Sequence, residues 1–305
     1  MITGIIASIV MGSILNWQIG LIIWLQHLSP WLDWPFRLFT FVGEVNFLVI
    51  LLLVTYWCID QRLGIRLILF FLFATYLGNF IKVYTNQPRP FEYNLQVKKL
   101  ADAPGKAFPS LHTLCTVAVW GYLASHFNRR WLWAISLLLL VFIPLSRIYL
   151  GVHFPTDVIG GYLIGGIILF LFLRYEESLG KWLSQLSFQW KLIISILFPG
   201  LLMLIFPTQE WAGVTLGALL LGISLGYVLE REFVKAEMSA PLGKQGIKLI
   251  LGISSSLLLL YGSKIVSPFF GSKLIVLGTT YTLMGIWASL VLPWIFKISK
   301  LSGKS

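Results

Sequence analysis

Residues 131–174 read WLWAISLLLL VFIPLSRIYL GVHFPTDVIG GYLIGGIILF LFLR, and this stretch decides the fold. Two apolar runs, 131–150 and 156–174, are each long enough as helices to cross a hydrocarbon core of about 30 Å. In lipid every backbone polar group must be satisfied within its own segment, so runs of this length read as transmembrane helices. The connection between them is short, which makes them antiparallel neighbours. Their ionisable residues gather at that junction: Ser146 and Arg147 near the end of the first run, His153 in the turn, Asp157 opening the second. Ionisable groups at membrane depth are costly, and a gathering of them at span ends points to a functional site.

Working outward, segments 39–58, 62–82, 110–127, 191–206, 211–229, 247–265 and 275–296 are also apolar and close to spanning length, giving nine in all. The expected fold class is all-α, a polytopic transmembrane helical bundle. Composition agrees, with 57% hydrophobic and 11% charged residues, whereas a water-soluble globule carries about 25% charged. The net charge of +11 does not point to nucleic acid, because the basic residues sit singly or in pairs between apolar runs. The opening stretch, Met1 to Leu32, is interrupted by Asn16, Gln18, Gln26, His27 and Pro30. It reads as an interfacial helix or one more span, and Trp17, Trp24, Trp31 and Trp34 favour the first. It lacks the basic start and small-residue cleavage site of a secretory signal. Cys58 and Cys115 fall inside apolar segments and read as buried thiols.

Basic residues between spans set an expected orientation. Arg62, Arg66, Arg129, Arg130, Arg174, Lys181, Lys235, Lys244, Lys248, Lys297, Lys300 and Lys304 fall on one side, which is then cytoplasmic. The opposite side receives the Val83–Pro109 loop, the turn at His153, the Pro207–Glu210 connection and the Ser263–Lys273 loop. After about residue 190 the spans hold almost no ionisable residue. That change of character suggests a catalytic membrane core over 1–190 and four additional spans over 191–305.

Four clusters then meet by helix alternation alone. Lys82 closes the second span and is followed by Arg89; Ser110 and His112 open the third; Ser146 and Arg147 end the fourth; His153 and Asp157 open the fifth. All four ends share one face. Singly each has an ordinary reading: snorkelling cations, an N-cap serine, a satisfied core histidine. Together, three cations, a hydroxyl at a helix start and two histidines make the inventory of a phosphate site, where helix N-termini and arginine forks match anionic oxygens. Glu44, His27, His126 and the Glu230–Glu237 charge run keep structural or solvated readings.

These residues also spell a pattern. Lys82-x6-Arg89-Pro90, Pro109-Ser110-x-His112 and Ser146-Arg147-x5-His153-x3-Asp157 resemble the three-part signature of the type 2 phosphatidic acid phosphatase family, shared with vanadium haloperoxidases. The likeness covers roughly residues 15–175. It implies that His153 is the nucleophile, that Asp157 orients it, and that His112 is the acid–base. It further implies that Lys82, Arg89, Ser110, Ser146 and Arg147 hold the phosphoryl oxygens, with no metal or other cofactor and a lipid phosphate or diphosphate as substrate. One position departs: the family has Pro-Ser-Gly-His where this chain has Leu111. That departure, with the additional spans, keeps a second reading in view, a lipid-phosphate binder or transporter that retains the anion pocket.

Overall fold

The computed structural model describes residues 2–207, 211–266, 268 and 272–303, with side chains from residue 13 onward. The expectations for the Pro207–Glu210 connection and the Ser263–Lys273 loop fall partly, and that for Lys304 wholly, outside the described residues. Among these residues the regular structure is helical, without strands.

In chain order the helices are α1 (Ile2–Gln26), α2 (Asp33–Val42), α3 (Val45–Val54), α4 (Gln61–Thr85), α5 (Pro90–Tyr93), α6 (Leu111–Thr116), α7 (Tyr122–Phe127), α8 (Arg130–Tyr149), α9 (Pro155–Gln185), α10 (Phe188–Ile205), α11 (Trp211–Leu229), α12 (Leu242–Val266), α13 (Lys273–Ile286) and α14 (Leu292–Ile298). A π-helical turn, Val117–Gly121, joins α6 to α7, and another, Trp287–Val291, joins α13 to α14. Among the described residues seven helices are long and apolar enough to cross a membrane, or eight when the bent pair α2 and α3 counts as one span. All nine segments read from the sequence are helical. The count falls below nine because the α6–α7 stretch is too short to meet the same test.

The first span also differs from its expectation. The run 39–58 reads as one helix, yet the chain breaks near Gly43 and Glu44 and bends by 46°. Gly43 lies against α8, where a Cβ would come 2.5 Å from Ile143 Cγ2. Any side chain at position 43 would force Ile143 to move.

The fold comprises two compact units, residues 1–48 with 81–171, and residues 49–80 with 172–305. In the first unit, α9 lies against the start of α6 through small residues. A Cβ on Gly161 would meet Thr113 Cβ at 2.7 Å and the Ser110 carbonyl at 2.8 Å, and one on Gly165 would meet Val117 at 3.0 Å. Small residues four apart let helix backbones approach, the usual contact between helices in lipid. Pro144 removes one N–H from α8, and the Leu140 carbonyl it leaves is taken by the Tyr162 hydroxyl of α9. Leu137, Val141, Ile159, Leu163 and Phe170 are exposed, the surface a bilayer covers.

The second unit is built on the same rule. Gly222 of α11 faces α13, where a Cβ would come 2.1 Å from the Thr282 carbonyl, and Gly226 meets Ser289 in the same way. Several polar groups inside it find backbone partners. Trp57 Nε1 donates to the Ala288 carbonyl at 2.9 Å, and Lys248 donates to the carbonyls of Trp57 and Met238 at 2.5 and 2.7 Å.

Candidate active site

The turn between α8 and α9 is fixed by two helix ends. Gly151 has φ +73°, its N–H donates to the Ile148 carbonyl, and the Val152 N–H donates to the Arg147 carbonyl. This is a Schellman ending with glycine in the left-handed position that a side chain disfavours. A Cβ there would also come 2.4 Å from the Lys98 carbonyl. Four residues after Gly151, α9 begins with Pro155, and Asp157 at its third position accepts from the Phe154 N–H at 2.8 Å. His153 thus stands between a helix stop and a helix start, each with its own capping bonds.

That placement fixes the state of the imidazole. Asp157 Oδ2 lies 3.2 Å from His153 Nδ1, and Arg89 Nη1 lies 3.3 Å from Nε2. A guanidinium can only donate, so Nε2 accepts and Nδ1 carries the proton to the carboxylate. Burial first, then the cations Lys82, Arg147 and Arg89, push the His153 imidazole well below the ordinary histidine range. The ring is therefore neutral, with the Nε2 lone pair directed away from Asp157.

The cations are held by carbonyls rather than carboxylates. Arg89 Nε donates to the Gly105 carbonyl at 2.9 Å, Nη2 to Pro104 at 2.8 Å and Nη1 to Val152 at 2.7 Å. Lys82 donates to the carbonyls of Lys106 and Ala107 at 2.6 and 2.9 Å. One loop, Pro104–Ala107, therefore positions both cations through neutral carbonyls. Arg147 Nη1 donates to Thr40 Oγ1 at 2.5 Å, while its Nε is buried without a partner among the described residues. His112 Nε2 is likewise buried and unpartnered. The same three cations, Lys82, Arg89 and Arg147, act electrostatically on both histidines.

Ser110 and Ser146 differ. Ser110 caps α6, its Oγ accepting from Thr113 N at 3.4 Å and Thr113 Oγ1 at 3.0 Å. A hydroxyl accepts twice and donates once, so its proton is free for an anion. Ser146 instead donates to the Ile143 carbonyl of its own helix at 2.5 Å. In this arrangement its proton is already used. Leu111 takes the first position of α6 and is half-buried.

Four supporting residues were given no role in the site by the sequence. Gln18 is buried and accepts from the Thr156 N–H and hydroxyl, both at 2.9 Å. Gln26 donates to the carbonyls of Lys98 and Tyr149 at 2.8 and 3.0 Å and accepts from Lys98 N at 2.9 Å. Through them α1 fastens both sides of the His153 turn, while Trp17 and Trp24 on the same helix, and Trp31 and Trp34 after it, are exposed. Thr40 braces Arg147, and Gln87 Nε2 donates to Asp157 Oδ1 at 3.1 Å. The available signal was a neutral amide inside an apolar run, as Gln18 and Gln26 are.

Chemically, the site offers a neutral imidazole lone pair, a second histidine and N–H and O–H donors with capacity to spare. That set suits a tetrahedral dianion. Residues 63–181 match the family described as the PAP2 superfamily, and residues 214–304 match the PAP2 superfamily phosphatase, transmembrane extension. The chain is 36% identical to an undecaprenyl-diphosphatase of Sulfolobus acidocaldarius, over 39% of this chain and 57% of that protein. It is 29% identical to lipid phosphate phosphatase delta of Arabidopsis thaliana, over 55% of this chain and 44% of the relative. The chain thus spans about half the length of these relatives. Among solved structures, Aquifex aeolicus LpxE is 32% identical with a TM-score of 0.47, covering 51% of this chain and 94% of that one.

Proposed function

Because the chain belongs to the PAP2 superfamily, we propose that it is a membrane phosphohydrolase of lipid phosphate or diphosphate esters, working through a phosphohistidine. The observation that carries this reading is the His153 Nε2 lone pair, set by Asp157 and placed beside Arg89. On substrate binding Arg89 turns its N–H groups to the phosphoryl oxygens, with Lys82, Arg147 and the Ser110 hydroxyl. Nε2 attacks phosphorus, and the bond to the leaving oxygen breaks. His112, which takes up a proton once the bound dianion offsets the cations around it, gives that proton to the leaving oxygen. Water then attacks the phosphohistidine, His112 takes the water proton, the P–N bond breaks, and inorganic phosphate leaves. Donors aimed at developing oxyanion charge supply most of the gain in such transfers, and the chemistry asks for no metal.

The catalytic core is assigned to residues 1–190, with the site on the extracytoplasmic side of the cell membrane, as the flanking cations Arg129, Arg130 and Lys244 favour. The substrate comes from the bilayer. A relative named for undecaprenyl diphosphate supports a polyprenyl diphosphate, and one named for lipid phosphate supports a monoester. Purified protein in detergent, given a long-chain phosphatidate and a polyprenyl diphosphate, should release inorganic phosphate from at least one and form an acid-labile phosphoenzyme. Binding of both without release of phosphate replaces this reading with the lipid-phosphate binder that Leu111 suggests.

A further inference from the structure

We propose that Gln87 is a positioning residue for phosphoryl transfer, acting on the nucleophile through Asp157. This rests on the phosphohistidine reading and adds a third member to the His153–Asp157 pair. Gln87 falls among the six positions between Lys82 and Arg89 to which the motif gives no role. In the structure its amide donates to Asp157 Oδ1 at 3.1 Å, while Oδ2 receives the Phe154 N–H at 2.8 Å and faces His153 Nδ1 at 3.2 Å. The carboxylate is fully buried. Each of its oxygens thus has a donor, and among the described residues Gln87 is the one that serves Oδ1.

The chain is shaped to bring Gln87 there. Helix α4 ends on Asn86, whose φ of +47° is the left-handed conformation that asparagine tolerates. The Gln87 carbonyl then accepts from Ala107 N at 2.9 Å, in the loop that holds Lys82 and Arg89. Gln87 therefore ties the frame of the cations to the carboxylate that orients the nucleophile. Without its N–H, one oxygen of a buried carboxylate loses its donor, and hydrogen bonds to the charged form are what keep such a group ionised. A carboxylate that turns or takes up a proton no longer holds the Nδ1–H tautomer.

The test compares Gln87→Leu, Gln87→Glu and Gln87→Asn with wild type, purified in detergent, on a long-chain phosphatidate and a polyprenyl diphosphate. Wild type must first show hydrolysis and an acid-labile phosphoenzyme; its failure there sinks the phosphohistidine reading, on which Gln87 depends. Given activity, the Leu variant should lose about 10–100-fold in kcat, the usual scale for partners one shell out, with KM and melting temperature little changed. The Glu variant, of equal size but offering a charge in place of a donor, should be at least as slow. Asn retains an amide one methylene shorter and should recover part of the loss. A Leu variant as fast as wild type, a change in KM alone, or an Asn variant no better than Leu would overturn the proposal. If Leu unfolds the protein, the ratio of Asn to Glu decides in the same way.

Discussion

Arg89 donates to His153 Nε2 at 3.3 Å and, from the same nitrogen, to the Val152 carbonyl at 2.7 Å. One guanidinium thus contacts the ring nitrogen that faces away from Asp157 and braces the backbone beside it. Its other nitrogens hold the carbonyls of Gly105 and Pro104.

Lysine cannot reproduce that fork. Arg89→Lys should lower kcat by about 10²–10³-fold, the cost of removing one transition-state donor. It should also lower the melting temperature, because buried carbonyls without donors cost about 1–3 kcal/mol each. Steady-state kinetics and thermal unfolding in detergent check both. A variant with wild-type kcat would remove Arg89 from the phosphate site.

The two histidines should separate by step. His153→Ala should abolish turnover and the phosphoenzyme together. His112→Ala should slow leaving-group departure and dephosphorylation by about 10²–10⁴-fold, the range for acid–base groups. Rapid-quench measurement of the labelled intermediate distinguishes them. Hydrolysis by the His153 variant near the wild-type rate would refute the nucleophile assignment.

The state of His153 gives a pH dependence with a definite sign. Its folded value lies well below the ordinary range, so the unfolded chain takes up a proton near pH 6.5 that the folded chain refuses. The contribution is whole above that pH and is lost as pH falls from there toward the folded value. Wild type should lose stability on acidification more steeply than His153→Gln, by at most about 1.4 kcal/mol per pH unit. Parallel melting curves from pH 7.5 to 5 would contradict this. Because the folded His153 lies below the ordinary range, an acid limb of kcat/KM near 6.5 would belong to another group.

Leu111 begins α6 in an ordinary helical conformation behind the Ser110 cap. Its N–H remains available to an anion, and a glycine would add freedom at a cost of about 1 kcal/mol of helix stability. Leu111→Gly should therefore hydrolyse lipid phosphates at least as fast as wild type and melt slightly lower. If the native chain is inert on every lipid phosphate tried and only the glycine variant turns over, the natural protein is a binder.

Much of this was legible because charge is conspicuous in lipid. Lys82, Arg89, His112, Arg147, His153 and Asp157 stand out from apolar runs, and helix alternation alone puts them at one end. The spans were legible for the same reason, from length and hydropathy. The break at Gly43 was not, because the run 39–58 is continuously apolar and the packing of Gly43 against α8 is a tertiary fact. Nor does sequence reveal that Ser146 gives its proton to Ile143 while Ser110 keeps one free, since both are serines beside a motif histidine or arginine. Gln87, Thr40, Gln18 and Gln26 carry no charge, and their roles depend on partners distant in the chain.

The glutamines of α1 bear on the order in which the protein is built. Gln18 and Gln26 take their partners from Thr156, Tyr149 and Lys98, all of which leave the ribosome long after α1. At about 5–20 residues per second, α1 waits several seconds in or beside the bilayer with two amides whose final partners do not yet exist. The bonds that fasten the His153 turn to α1 are therefore made only once the start of α9 has emerged, after α8 is complete and before α10 exists.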